Sequence, residues 1–309
     1  MRYRPFGATG AAVSNLTLSL GTDALGRGRA ALSELIFTAL EAGVNSYHLE
    51  NADPVLAEIV GEALGHVERR LVCVGMTLGV GDGRKKGFRD FSPDSLSGAI
   101  DRALHASGLG WFDVAVLDEP ADDELPQASL IALKALRKAG HVKLLGVSGD
   151  SPVMDVYVST GAFDVLYTPF HANVEWRIRS RMRAARERDM AIFTYDYFPE
   201  SLSTERKAAG AGGTMKKKKG LFGFGAKPIE QGMSNAGSFA FLHQTPNWKA
   251  EEICLAFTLT DPAVASVMVD AINPERMEAL AAVPERDLPP GLSAQIEMAR
   301  VGSAVAEAS

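Results

Sequence analysis

The chain has 309 residues, 46% of them hydrophobic, a net charge of −6 and two cysteines. That content suffices for a large buried core, and an α/β barrel of this length forms one domain, 1–309. Two cysteines exclude a disulfide framework, no run reaches the ~18 apolar residues of a membrane span, and no secretory signal follows Met1-Arg2-Tyr3-Arg4, so a cytoplasmic, non-transmembrane protein is expected.

Short apolar runs alternate with longer amphipathic stretches. The candidate strands are Leu16–Leu20, Val44–His48, Leu71–Met76, Phe112–Leu117, Val142–Ser148, Val165–Thr168, Ala191–Tyr195 and Ser266–Val269. Several are continuous Val/Leu/Ile runs, as strands covered on both faces should be. Helical periods span Ala30–Glu41, Pro54–His66, Asp94–Ser107, Leu125–Ala139, Glu175–Arg188 and Lys249–Leu259. Ser92-Pro93-Asp94 opens the third of these and Gly140 ends the fourth. Cys73 and Cys254 lie inside apolar runs and read as packing residues. The alternation predicts a (β/α)8 TIM barrel with right-handed crossovers and ligands at the C-terminal strand ends.

Four stretches carry a family pattern. Gly43-Val44-Asn45-Ser46-Tyr47-His48 leads to the helix Ala57–Leu64. Near the start stand Tyr3-Arg4, Gly7, Thr9-Gly10, Val13-Ser14 and Leu20-Gly21-Thr22. In the middle runs Gly140-His141-Val142-Lys143-Leu144-Leu145-Gly146-Val147-Ser148, and late on Leu255-Ala256-Phe257 leads through Pro262-Ala263-Val264 to Val269. In this order, the stretches resemble the aldo/keto reductases. The resemblance implies a barrel opened by an N-terminal β-hairpin, and hydride transfer from NAD(P)H to a carbonyl.

It also implies a catalytic tetrad, and here the chain departs. Aligned without gaps, the family's Asp falls on His48, its proton-donating Tyr on Asp53, its Lys on Leu78 and its His on Asp118. Leu78 does not titrate, and an ionised Asp53 opposes charge building on a carbonyl oxygen. Of the cofactor positions, Gly21, Thr22 and Ser148 remain, with Arg276 as a phosphate partner. The family's Asn, Gln and Gly positions have become Gly149, Tyr167 and Asp270. NADP(H) is therefore expected by family resemblance only.

Other residues offer other chemistry. His48, Glu50, Asp53, Asp118, Glu119, Asp150, His171, Tyr195, Asp196 and Asp270 are expected near the barrel mouth. They read as a solvated acidic rim, as acid/base groups led by His48, Glu50 and Asp118, or as metal ligands, although no short metal motif is present. Arg177, Arg179, Arg181, Arg183, Arg186 and Arg188 crowd one helix and read as a solvated face rather than a nucleic-acid surface. Residues 206–228 hold seven positive charges and no acid, and read as a flexible basic loop. Within it, Lys216, Lys217, Lys218 and Lys219 beside Leu221, Phe222 and Phe224 suit an anionic surface or an acidic protein partner.

Three functions follow. The first is a reductase-like pseudoenzyme that serves as a binding or regulatory module, with a small molecule at the barrel mouth. The second is an NAD(P)H-dependent oxidoreductase working through substitute residues such as Tyr195 or Tyr197. The third is a cofactor-free acid/base enzyme. Fold alone separates none of them.

Overall fold

The computed structural model describes residues 1–80, 89–203 and 239–307. The chain opens with an antiparallel hairpin of β1 (Tyr3–Pro5) and β2 (Ala12–Ser14), registered Arg4 to Val13. Eight parallel strands then close a barrel. They are β3 (Leu16–Leu20), β4 (Ser46–Leu49), β5 (Cys73–Leu78), β6 (Phe112–Asp118), β7 (Val142–Ser148), β8 (Val165–Pro169), β9 (Ala191–Tyr195) and β10 (Val264–Val269). β10 pairs with both β9 and β3, which completes the ring.

Helices surround it: α1 (Arg29–Glu41), α2 (Pro54–Leu64), α3 (Pro93–Ser107), α4 (Gln127–Ala139), α5 (Val153–Thr160), α6 (Trp176–Arg186), α7 (Glu200–Ser203), α8 (Ala250–Thr260), α9 (Pro274–Ala282) and α10 (Leu292–Glu307). Ser92 caps α3 by accepting from the Ser95 amide, and Gly140 ends α4 in the left-handed conformation. Gly61 lets α2 approach α3, since a Cβ there would overlap the Ser107 carbonyl.

Strand side chains alternate between two layers. Leu16, Leu18 and Leu20 of β3 face the helices in the larger core. Val114, Val116, Val165, Tyr167, Ala191 and Phe193 form a separate cluster with Phe6 and Val13 of the hairpin region. The hairpin closes the barrel at the N-terminal strand ends, where a Cβ on Gly7 would stand 3.5 Å from the Ala191 amide nitrogen. Arg4 secures it by donating to the Asp261 carbonyl at 2.9 Å and to those of Leu259 and Val264.

An aromatic column follows from this plug. Phe6 meets Phe193 edge-on at 5.6 Å, Phe193 stacks on Tyr167 at 5.0 Å, and Tyr167 lies 5.2 Å from His48. Gly75 and Gly146 make room for it. A Cβ on Gly75 would stand 2.9 Å from His48 Nδ1, and one on Gly146 would stand 3.5 Å from the Tyr167 ring.

Several boundaries differ from the sequence reading. Val44 is not in β4, because its amide closes the end of α1 on the Ala39 carbonyl at 2.8 Å. Leu71 belongs to a 3-10 turn and is exposed, and β5 instead runs on to Leu78. Helices α5, α7, α9 and α10 were not among the expected helical periods. Arg181 is a clear correction to the expected solvated face of α6. It is 2% exposed, and donates to Asp155 Oδ1 at 2.6 Å and to the Ser151 carbonyl at 2.7 Å. Cys73 and Cys254 are buried and free. Among the described residues, no helix is long and apolar enough to cross a membrane. Residues 206–228 lie outside the described residues.

Candidate functional site

Inward-facing side chains at the C-terminal strand ends build a cavity of about 550 Å3. Ser19, His48, Thr77 and Tyr167 line it together with Ser148, Tyr195 and Met268. Loops and helix ends add Glu50, Asp196, Tyr197, Phe198, Glu251, Asp270 and Arg276, and Asp118 ends β6 beside them.

His48 is almost fully buried, and its Nε2 is paired with Thr77 Oγ1 at 2.8 Å. Its Nδ1 has no hydrogen-bond partner among the described residues. Burial lowers its pKa to about 3, so the ring is neutral at physiological pH.

Glu50 Oε1 accepts from the Ser19 hydroxyl at 2.8 Å. The other carboxylate oxygen lies over Gly21, where a Cβ would overlap it and would stand 2.7 Å from Asp23 Oδ1. Burial lifts Glu50 above the usual carboxylate range; Ser19 opposes this, and Asp270 and Asp23 add to it. Asp270 is raised in the same way, by burial first and then by Asp23, against Arg276 and Arg27. Asp118 is raised by burial and partly restored by Arg89, whose Nη1 lies 3.5 Å from Asp118 Oδ2. Asp196, after β9, is raised by burial.

Arg276 stands in the first turn of α9 and is engaged twice by Glu251, Nη2 to Oε1 at 2.6 Å and Nη1 to Oε2 at 3.1 Å. Its Nε donates to the Asp270 carbonyl at 3.1 Å, and the Tyr197 hydroxyl donates to Glu251 at 2.8 Å. Tyr167, Tyr195 and Tyr197 are all pushed above the ordinary tyrosine range, chiefly by burial. Each is therefore a poorer proton donor than a free phenol.

The structure brings together six of the expected mouth residues: His48, Glu50, Asp118, Tyr195, Asp196 and Asp270. The other four do not line the cavity, although Asp150 and Glu119 lie close enough to act on Tyr195. Asp53 caps α2, its Oδ1 accepting from the Val55 amide at 2.8 Å and the Leu56 amide at 3.0 Å. Glu119 braces the β7–α5 loop by accepting from the amides of Asp150 and Ser151, and Asp150 itself is exposed. His171 Nδ1 accepts from the Asn173 amide at 3.2 Å. Leu78 is packed in the helix-facing core. Of the expected cofactor residues, Ser148 and Arg276 line the cavity; Gly21 lies beneath Glu50, and Thr22 begins a 3-10 turn.

Ser19, Thr77, Phe198 and Glu251 were not anticipated as site residues. Ser19 and Thr77 alternate with apolar neighbours on strands, a polar-inward signal visible once the strand faces are known. Among the described residues, no group of three or more His, Cys, Asp or Glu is arranged to hold a metal ion, and no lysine lines the cavity. Lys216, Lys217, Lys218, Lys219, Leu221, Phe222 and Phe224 lie outside the described residues.

Residues 17–300 match the model of the aldo/keto reductase family. No curated protein sequence matches the chain. Among solved structures, the holo form of aldo-keto reductase AKR11C1 from Bacillus halodurans superposes with a TM-score of 0.73 at 18% identity, covering 96% of this chain and 95% of that one. The glycerol dehydrogenase AKR11B4 from Gluconobacter oxydans gives 0.69 at 18% identity, covering 96% and 94%. At that identity the two likenesses establish the fold alone. The family match establishes membership: the chain belongs to the aldo/keto reductase family.

Proposed function

We propose that this member of the aldo/keto reductase family is a small-molecule binding module that has left standard NAD(P)H-dependent carbonyl reduction. The observation that carries this reading is the position of Asp53. Aligned without gaps, it falls on the position of the family's proton donor, and its carboxylate is engaged by the first amides of α2 rather than lining the cavity. Among the described residues, no tyrosine with a lysine beside it substitutes for it. The cavity tyrosines are raised, His48 is neutral, and no described lysine lowers a phenol by charge. General acid help alone is typically worth about 10²–10⁴-fold in rate.

The described residues also do not suit a dinucleotide. In barrels of this kind, phosphate sits at the loops after the last two strands and a following helix N-terminus. Here that region carries Asp270, with Glu50 and Asp23 crowded over Gly21; of its two arginines, Arg276 is already neutralised by Glu251 and Arg27 donates to the Ala271 and Ile272 carbonyls. A pyrophosphate would meet repulsion there.

Fluorescence quenching with NADPH and NADH, paired with turnover of common aldehydes and ketones, tests the reading. Silence in both is the expected result. Micromolar binding together with turnover near about 1 s⁻¹ on a common carbonyl overturns it.

Acid/base chemistry is the second reading, and the raised Glu50 carboxyl favours it. Glu50, His48 and Asp118 do not form one relay, however. Each is bonded to a separate partner: Ser19, Thr77 and Arg89.

The tract Lys216–Phe224 is proposed, from its charge and apolar residues, as the element that meets an anionic surface or partner protein. Sedimentation with anionic vesicles should lose its salt-sensitive component when the four lysines become Gln.

A further inference from the structure

We propose that the barrel mouth takes a small organic cation bearing N–H donors, of the class of protonated alkylamines. This names the ligand class of the binding module above and rests on that reading. The first observation is the charge balance of the lining. Glu50, Asp118, Asp196, Glu251 and Asp270 face one guanidinium, Arg276. Arg276 is taken by Glu251, and Asp118 faces Arg89. Among the described residues, no ion pair reaches Glu50 or Asp196, and Asp270 is only partly balanced, by Arg276 and Arg27. Enclosed carboxylates without a counter-charge attract a cation and reject an anion.

The second observation is independent of charge. His48 lines the same cavity, is 2% exposed, and its Nδ1 lacks a hydrogen-bond partner among the described residues. Buried nitrogens are normally satisfied, and a neutral imidazole offers a ligand either a lone pair or an N–H. In the tautomer whose Nε2 donates to the Thr77 hydroxyl, Nδ1 is an acceptor and suits an ammonium N–H.

The third observation is the wall. Tyr195, Tyr197 and Phe198 present aromatic rings beside the carboxylates. Aromatic faces stabilise a desolvated cation and leave an anion unaided. A volume of about 550 Å3 suits a small molecule rather than a peptide or dinucleotide.

The test uses three four-carbon probes that differ in charge: 1,4-diaminobutane, 1,4-butanediol and succinate. Agmatine extends the amine series. Each is titrated into the full-length protein by calorimetry, with the thermal midpoint as a second readout. The amines are expected to bind and raise the midpoint, while butanediol and succinate do neither. Glu50→Gln with Asp270→Asn is expected to weaken amine binding by at least about tenfold. Glu50→Gln alone serves if the double variant does not fold. Asp287→Asn, an exposed carboxylate beside Arg2 at the hairpin end of the barrel, is expected to bind like wild type.

Equal or tighter binding of butanediol or succinate overturns the proposal. So does silence from the amine series, or amine binding that Glu50→Gln and Asp270→Asn leave unchanged. NADPH titrated in parallel separates the two levels. NADPH binding with carbonyl turnover removes the module reading itself, whereas silence from both NADPH and the amines removes only the ligand class.

Discussion

The Glu251 carboxylate holds the Arg276 guanidinium at two points, Oε1 on Nη2 at 2.6 Å and Oε2 on Nη1 at 3.1 Å. The arginine that would meet a phosphate at the start of α9 therefore already has an anion. Glu251→Gln should release it while leaving Tyr197 an acceptor. Inorganic pyrophosphate or NADPH, measured by calorimetry, should then bind about 5–30-fold more tightly than to wild type, the equivalent of about 1–2 kcal/mol. Unchanged binding would mean that Asp270 and Glu50, rather than Glu251, exclude the phosphate.

Asp53 should behave as a helix cap. Asp53→Ala is expected to cost about 1 kcal/mol and lower the thermal midpoint by about 2–4 °C, while Asp53→Asn retains most of the stability. Asp53→Tyr, which restores the family residue, should lose the cap as well and gain no carbonyl turnover. Thermal melts and an NADPH-coupled assay check both halves.

His48 sets part of the acid limb of stability. Its folded pKa is about 3 and its ordinary value is 6.5, so between these the unfolded chain binds the extra proton. The contribution is fully present above pH 6.5 and declines as pH falls toward 3. His171, lowered to about 4 by burial and by Arg179, acts with the same sign. The raised carboxyls of Glu50, Asp118, Asp196 and Asp270 act with the opposite sign. His48→Gln should therefore lose less stability than wild type between pH 7 and 4.5, by about 2–3 kcal/mol, in urea denaturation at the two pH values.

Gly75 shapes the cavity floor. A methyl there would stand 2.9 Å from His48 Nδ1 and 3.2 Å from the Tyr167 hydroxyl, with the aromatic column fixing both rings. Gly75→Ala should destabilise by about 1–3 kcal/mol, and ligand binding should fall with it. A neutral effect would show that the His48 ring is free to turn.

The strands were legible in the sequence because a strand covered on both faces is a short run rich in Val, Leu and Ile, broken only by small or polar residues such as Thr17, Ser19 and Thr194. Leu16–Leu20, Val142–Ser148 and Ala191–Tyr195 coincide residue for residue with β3, β7 and β9. The order of such runs and helical periods implied the barrel, and local motifs carried the family. Boundaries slipped where a backbone amide had a choice of partners, as at Val44, whose hydrogen bond goes to the end of α1.

The site was legible only as a set of strand-end positions. Sequence distance does not state which way a side chain turns. Asp53 and Glu50 are three residues apart, yet one caps a helix and the other lines the cavity. Nor does it reveal pairing between distant segments, such as Glu251 with Arg276 or Arg181 with Asp155. Composition and local pattern determined the fold, because hydrophobic burial depends on period and run length. Closure of the barrel decided the chemistry, because burial, charge pairing and unsatisfied hydrogen bonds exist only once β10 has met β3.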